Sequence, residues 1–436
     1  MASVLIKNCD WVLTQDEQRR VLKNHSVYIE DGVISEISPR ISVDADLVLN
    51  GSRKVLMPGL INVHTHIPMT LLRGYADDME LHEWLTQKIW PIESKLTGKL
   101  VYYGAMLGLV EMAKTGTTCF LDMYFFMEEV AKATLEVGLR GFLSYGMIDL
   151  GDAEKREKEL EKTRKFVEHV KSLNSDLVKP VVGPHAPYSC SEELLLRAAE
   201  LAERYDLLLT IHVAETRKEQ AEFERDKGMR VVEYLEKIGF LSRRIVAAHC
   251  VWLTKNEMKI MAEKDVRAAH CPVSNMKLAV GGAMPLPELL EYGVKVGLAT
   301  DGPASNNRLD MFESMKLCSL LHKHAKWDPT VVPAQKSLDL ATIDAARALD
   351  MEDKIGSVEV GKEADLILVD LSSPWMTPVH QASTVVSHMV YAVQSSDVDT
   401  VLVKGRPVVL DKKVVSVDEE EAKRKAQEAA LELVSG

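Results

Sequence analysis

Eight short apolar runs, separated by long charged stretches of helical periodicity, constrain this 436-residue chain more than any other feature. They are Leu60–His64, Thr118–Asp122, Gly141–Tyr145, Val181–Gly183, Leu208–His212, Ile245–His249, Arg267–His270 and Val296–Thr300. Short runs of this kind read as strands buried on both faces, and stretches such as Glu154–Ser172, Ser191–Tyr205 and Arg230–Ile238 read as the helices that cross between them. Eight such alternations within residues 59–351 predict an α/β chain folded as a (β/α)8 TIM barrel. An open doubly wound sheet is disfavoured, because no Gly-x-Gly-x-x-Gly follows the first run.

Both ends of the chain have another rhythm. Ser26–Glu30 and Val33–Ile37 alternate around Asp31-Gly32, a hairpin signal. Leu47–Leu49, Lys54–Met57, Ala364–Leu371 and Thr400–Lys404 are further short β-rich pieces. None can enclose a core alone, so the sequence predicts one small composite β domain from residues 1–58 plus 352–436, with a helix over Asp418–Val434.

Many of the barrel runs end in an imidazole or a carboxylate. His64 and His66 follow the first, His185 the fourth, His212 and then Glu215 the fifth, His249 the sixth and Asp301 the eighth. The strands of a barrel all open on one face, so these side chains are predicted to converge there. His64-Thr65-His66 is the sharpest element, because residues i and i+2 of a strand point the same way. An isolated His-x-His is more often two polar residues at a strand end, and an isolated Asp301 in Thr-Asp-Gly-Pro reads equally as a turn residue. Recurrence of the same placement on several strands favours His64, His66, His212 and Asp301 as ligands of one metal ion. Glu215, His249 and His185 are further functional candidates, His270 is ambiguous, and the remaining histidines read as surface or structural.

Charge and cysteine usage narrow the partners. Lys+Arg number 53 against 65 Asp+Glu, a net charge of −12, which argues against a nucleic-acid partner. The six cysteines include no Cys-x-x-Cys pair and read as reduced thiols, so a cytoplasmic location is expected. The N-terminal apolar run is too short for a signal peptide, and no run reaches about 18 apolar residues, so no membrane partner is expected.

Several segments together resemble the amidohydrolase superfamily, and within it the 5′-methylthioadenosine/S-adenosylhomocysteine deaminase family. They are Met57-Pro-Gly-Leu-Ile-Asn-Val-His-Thr-His66, Ile89-Trp-Pro-Ile-Glu93, Gly183-Pro-His-Ala-Pro-Tyr188, His212-Val-Ala-Glu215, Ala248-His-Cys-Val251, His270-Cys-Pro-Val-Ser-Asn275 and Thr300-Asp-Gly-Pro-Ala-Ser-Asn-Asn307. The likeness covers essentially the whole chain. It implies a distorted barrel with a β-sandwich built from both termini, and one divalent metal ion, usually Zn2+ with Fe2+ or Mn2+ as alternatives. It implies a small-molecule nucleoside substrate, and a homo-oligomer is expected. By the same resemblance His64, His66, His212 and Asp301 hold the metal, Glu215 and His249 handle protons with Asp301, Glu93 holds the ribose hydroxyls and His185 contacts the purine. The strand before Gly183 lacks the lysine that bridges two metals in some relatives, which favours a mononuclear site.

The implied reaction replaces the 6-amino group of an adenosine-type nucleoside by oxygen and releases ammonia. Relatives that accept S-adenosylhomocysteine often carry an arginine where this chain has Tyr145, and Arg156 is the candidate for a second such arginine. That departure favours methylthioadenosine, 5′-deoxyadenosine or adenosine. The competing readings are a related hydrolase of another ring (guanine, cytosine or s-triazine) and a catalytically silent oligomeric scaffold. A purely structural metal is disfavoured, because such sites are usually closed by Cys and His.

Overall fold

Continuous apolar runs are soluble only when both faces are covered, and the computed structural model, which describes residues 3–435, satisfies that requirement with a barrel. Its strands are Leu60–Thr65, Thr117–Tyr124, Arg140–Met147, Val178–Pro184, Leu209–Val213, Ile245–His249, Arg267–His270 and Val296–Leu298. They pair in parallel, each with the next in chain order. Every residue of the first, second and sixth strands is buried, which explains why these segments do not alternate in the sequence.

The eighth strand departs from expectation by ending at Leu298 instead of Thr300. Beyond Leu298 the backbone leaves the ladder: Thr300 N–H donates to the Asn62 side chain at 3.1 Å, and Asp301 turns into the left-handed region at φ 62°. The barrel therefore closes through a few particular bonds. Asp301 N–H donates to the His64 carbonyl at 3.1 Å, Asn62 Nδ2 donates to Thr300 Oγ1 at 2.7 Å, and Thr65 Oγ1 donates to the Asp301 carbonyl at 3.0 Å. Gly297 permits the approach, since a Cβ there would lie 2.7 Å from Val63.

The crossover helices form where charged, periodic stretches follow a capping residue. Ala153–Ser172 starts after Asp152, which accepts the Lys155 N–H at 2.9 Å, and Glu192–Tyr205 starts after Ser191, which accepts the Leu194 N–H at 3.2 Å. Between the first two barrel strands a helix runs from Leu81 to Glu93 with a π-helical turn at Leu85–Ile89. A π turn rotates the residues after it relative to those before, and such turns recur at functional sites.

The terminal segments build one sheet, as the sequence predicts. Its nine strands are Ser3–Leu13, Val21–Glu30, Val33–Ser38, Leu47–Asn50, Lys54–Pro58, Leu366–Asp370, Val398–Val403, Arg406–Leu410 and Lys413–Val414. The two ends of the chain meet where Lys54–Pro58 pairs antiparallel with Leu366–Asp370. Val4, Ile6, Val27, Ile29, Leu366 and Leu368 share one apolar cluster. Asp31 and Gly32 both take positive φ, which two-residue hairpin turns of this type require. The helix Glu419–Ser435 turns away from this cluster and packs on the barrel helix Gly98–Lys114, with a Lys114–Glu419 ion pair at 2.8 Å.

The sheet is bound to the barrel by a buried ion pair. Arg140, at the start of the third barrel strand, donates to Asp365 Oδ2 at 3.0 Å and to Glu363 Oε2 at 2.7 Å. All six cysteines are free and buried, and no helix among the described residues is long and apolar enough to cross a membrane.

Candidate metal centre and active site

The strand ends that carry imidazoles and carboxylates do converge. His64 and His66, two apart on the first strand, have ring centroids 4.8 Å apart, and His212 from the fifth strand lies 4.8 Å from His64. Asp301 closes the group, with Oδ1 3.6 Å from His64 Nε2 and 3.3 Å from His66 Nε2. His249 stacks beside His212 at 5.4 Å, and its Nε2 is 3.8 Å from Glu215 Oε2. His185 is 4.8 Å from His212 between ring centroids.

The hydrogen bonds behind this cluster fix its protons. His66 Nδ1 donates to the Met123 carbonyl and His212 Nδ1 donates to the His185 carbonyl, each at 2.6 Å. A carbonyl oxygen only accepts, so each ring carries its proton on Nδ1, and in the neutral imidazole Nε2 offers a lone pair. These two Nε2 atoms face each other at 3.3 Å. Two lone pairs at that distance repel unless a cation or proton lies between them. His64 sharpens the point: it is fully buried and neither ring nitrogen has a hydrogen-bond partner. A buried polar atom without a partner is costly, and coordination removes that cost. Three imidazoles and one carboxylate match the donor set of a divalent ion with an open position for water. These residues fit such an ion, and carbonyl-anchored imidazoles are the usual support of metal-ligating histidines.

Burial sets the charges. It pushes Asp301 up, but contacts with His64 and His66 outweigh it and hold the carboxyl well below the usual range. Asp301 Oδ2 also accepts the hydroxyls of Ser274 at 2.5 Å and Ser305 at 2.9 Å, which leaves Oδ1 facing the imidazoles. Burial raises Glu215, with only partial relief from His249. Burial likewise lifts Glu93 to about 7 against the opposing hydrogen bond from Tyr124, whose hydroxyl donates to Oε1 at 2.7 Å. A carboxyl that stays protonated near neutrality is suited to giving a proton, and an ionised one to orienting water.

The backbone at these strand ends is strained. Ala214, His249, Cys250 and Asp301 have φ of 54°, 71°, 48° and 62°. Non-glycine residues hold this conformation only where the surroundings impose it, typically at functional sites. Glycine is required next door: a Cβ on Gly302 would lie 2.8 Å from Met69 Sδ.

A cavity opens over the cluster, lined by His66, Glu93, His185, Glu215, His249 and Asp301 among others. Trp84 and Trp90, from the helix with the π turn, line it as well, so the cavity has apolar walls and a polar floor. His64, His66, Glu93, His185, His212, Glu215, His249 and Asp301 thus reach one site. His270 does not join them: its Nε2 meets His322 Nε2 at 2.9 Å in a separate buried group with Cys318.

Sequence reasoning overlooked the supports. Glu219 is buried and accepts the N–H groups of Ala214 at 3.3 Å and Glu215 at 2.8 Å, bracing the turn that aims Glu215. Its signal was the Thr216-Arg-Lys-Glu219 capping pattern. Asp122, buried at the end of the second strand, accepts the Ile67 N–H at 2.7 Å and so fixes the turn after His66. Asn275 Oδ1 lies 2.9 Å from His249 Nδ1 and orients that ring.

Comparison with known proteins agrees with this architecture. The chain is 46% identical over 413 residues to 5′-deoxyadenosine deaminase of Methanothermobacter thermautotrophicus, covering 94% of this chain and 95% of the relative. It is 46% identical over 394 residues to 5-methylthioadenosine/S-adenosylhomocysteine deaminase of Pyrococcus furiosus, covering 90% and 93%. The crystal structure of an adenosine deaminase from Xanthomonas campestris with bound zinc superposes with a TM-score of 0.93 at 33% identity, over 99% of both chains. Residues 55–408 match the model of the amidohydrolase family, and with relatives this similar over nearly its whole length the chain belongs to that family.

Proposed function

We propose that the protein is a metal-dependent hydrolase that deaminates adenosine-type nucleosides, giving the inosine analogue and ammonia. The observation that carries this reading is the close approach of the His66 and His212 Nε2 atoms, each ring anchored by Nδ1 to a carbonyl, beside the His64 ring that makes no hydrogen bond, under a cavity that also holds Glu215 and Glu93. The relatives' names support the substrate class, and the zinc of the structural relative supports zinc as the ion.

His64, His66, His212 and Asp301 would hold the ion, which would supply Lewis-acid chemistry and lower the pKa of water from ~15.7 towards ~7. His249 and Asp301 orient the attacking water at C6 and take up its proton. Glu215, its pKa raised by burial, donates to ring N1, which localises the electrophile at C6. A proton returned to the exocyclic nitrogen lets it leave as ammonia. Glu93 accepts hydrogen bonds from two neighbouring ribose hydroxyls, and His185 packs against the purine.

A hydrolase of another ring shares the floor of the site but has no use for a ribose-binding Glu93. A silent scaffold has no use for Glu215 and His249 beside an intact donor set. The test is ammonia release from 5′-deoxyadenosine by the zinc-loaded protein, with guanine, cytosine and an s-triazine as alternatives. Turnover of a free base or triazine with none of the nucleoside overturns the proposal.

A further inference from the structure

A second chamber, open to solvent, adjoins the metal pocket, and Trp90, Glu93, Phe125 and Ile148 line both. Glu93 stands at the junction, so a nucleoside with its ribose on Glu93 and its base over the metal floor projects its 5′ group into this chamber. The inner wall is aromatic: Phe125 and Tyr145 meet edge to face at 6.2 Å, and Trp90 and Ile148 complete it.

Glu159 and Lys162, the charged pair beside the aromatic wall, are already matched to each other, while Glu128 and Lys155 also line the chamber. Glu159 Oε1 accepts the Tyr145 hydroxyl and Lys162 Nζ, each at 3.1 Å, and Oε2 accepts the Ile148 N–H at 3.4 Å. Lys162 also donates to the Tyr145 hydroxyl at 3.1 Å. Lys165 pairs with Glu161 at 3.6 Å. Arg156 does not line the chamber: its guanidinium is held by Glu193 at 2.8 Å, Ser191 Oγ at 3.1 Å and Asp149 at 3.4 Å. Lys155 is exposed on the chamber rim, a flexible single charge that holds a carboxylate weakly in water.

Building on the deaminase function proposed above, we infer that this chamber is a specificity subsite for short, uncharged 5′ groups, and that Glu159, locked to Tyr145 and Lys162, is the residue that disfavours an amino-acid tail. A methyl or methylthio group buries apolar surface against Phe125, Trp90 and Ile148. An amino-acid tail brings a carboxylate against the Glu159 carboxylate, whose cation is committed. Its ammonium meets a carboxylate that already accepts from Tyr145, Lys162 and the Ile148 N–H. One such unmatched charged contact costs about tenfold or more in binding.

The test measures kcat and KM of the zinc-loaded full chain with 5′-deoxyadenosine, methylthioadenosine and S-adenosylhomocysteine. The expected kcat/KM for S-adenosylhomocysteine is at least about tenfold below the other two, with the loss in KM. A value equal to theirs or above it overturns the inference while leaving the deaminase proposal intact. Failure to turn over any of the three overturns the deaminase proposal itself. Glu159→Gln keeps one acceptor oxygen, removes the negative charge and releases Lys162. It is expected to raise the S-adenosylhomocysteine to methylthioadenosine ratio by about fivefold to tenfold. An unchanged ratio in a folded, metal-loaded variant removes Glu159 from the role.

Discussion

The two ends of the barrel bury ionisable groups in opposite ways. Near the strand starts, Arg140 is almost fully enclosed, yet its guanidinium reaches Asp365, Glu363 and the Asp176 carbonyl. At the strand ends, His64 is as deeply enclosed and makes no hydrogen bond, and the Nε2 atoms of two neighbouring imidazoles approach to 3.3 Å. A buried charge whose partners all come from the chain joins parts of the fold. A buried donor set left open marks where something outside the chain completes it. The same desolvation penalty applies at both ends, and only the source of the compensation differs.

Substitutions break this contrast in order of expected size. Glu215→Gln is expected to lower kcat by roughly 10²–10⁴-fold, the span of general acid catalysis, with metal content unchanged. Near-normal turnover of a metal-loaded variant removes Glu215 from the chemistry. His64→Ala is expected to weaken metal binding by more than about 100-fold, beyond what loss of a supporting residue costs. Full metal occupancy by elemental analysis rejects His64 as a ligand. Arg140→Met strands Asp365 and is expected to cost about 3–5 kcal/mol in unfolding free energy, with kcat per folded molecule unchanged. If its urea midpoint does not move, the ion pair is not what joins sheet to barrel.

The smallest effect concerns pH. In the ribose-binding role proposed for it, Glu93 accepts two hydroxyls best as a carboxylate, and its pKa of about 7 lies above the ordinary carboxylate value. Protonation as pH falls through 7 therefore weakens ribose binding, and kcat/KM falls on the acid side through KM. Tyr124→Phe removes the hydrogen bond that lowers this pKa, so the acid limb moves to higher pH. A limb that stays in place, or moves down, separates Glu93 from the effect.

The barrel was legible because its strands are buried on both faces, and unbroken apolar runs such as Ile245–His249 need no knowledge of their neighbours. The convergence of His64, His66, His212 and Asp301 was legible because each ends or closely follows such a run. The end of the eighth strand was not, because Thr300 pairs with the Asn62 side chain, a contact 238 residues away in sequence. Glu219, Asp122, Ser274 and Ser305 were not, because their roles lie in what their side chains hold in place, and local pattern makes them ordinary caps and turn residues. The matched charges around Tyr145 needed coordinates for the same reason, since Glu159 and Lys162 read as a solvated helix face.

The seam between the first and last barrel strands has a mechanical consequence. His64 and Asp301 lie on opposite sides of it and share one backbone hydrogen bond there. An ion gripped by both acts as a clasp on the hoop. Filling the site and fastening the ring become one event, and slower deuterium uptake at the Asp301 amide on adding zinc is its signature.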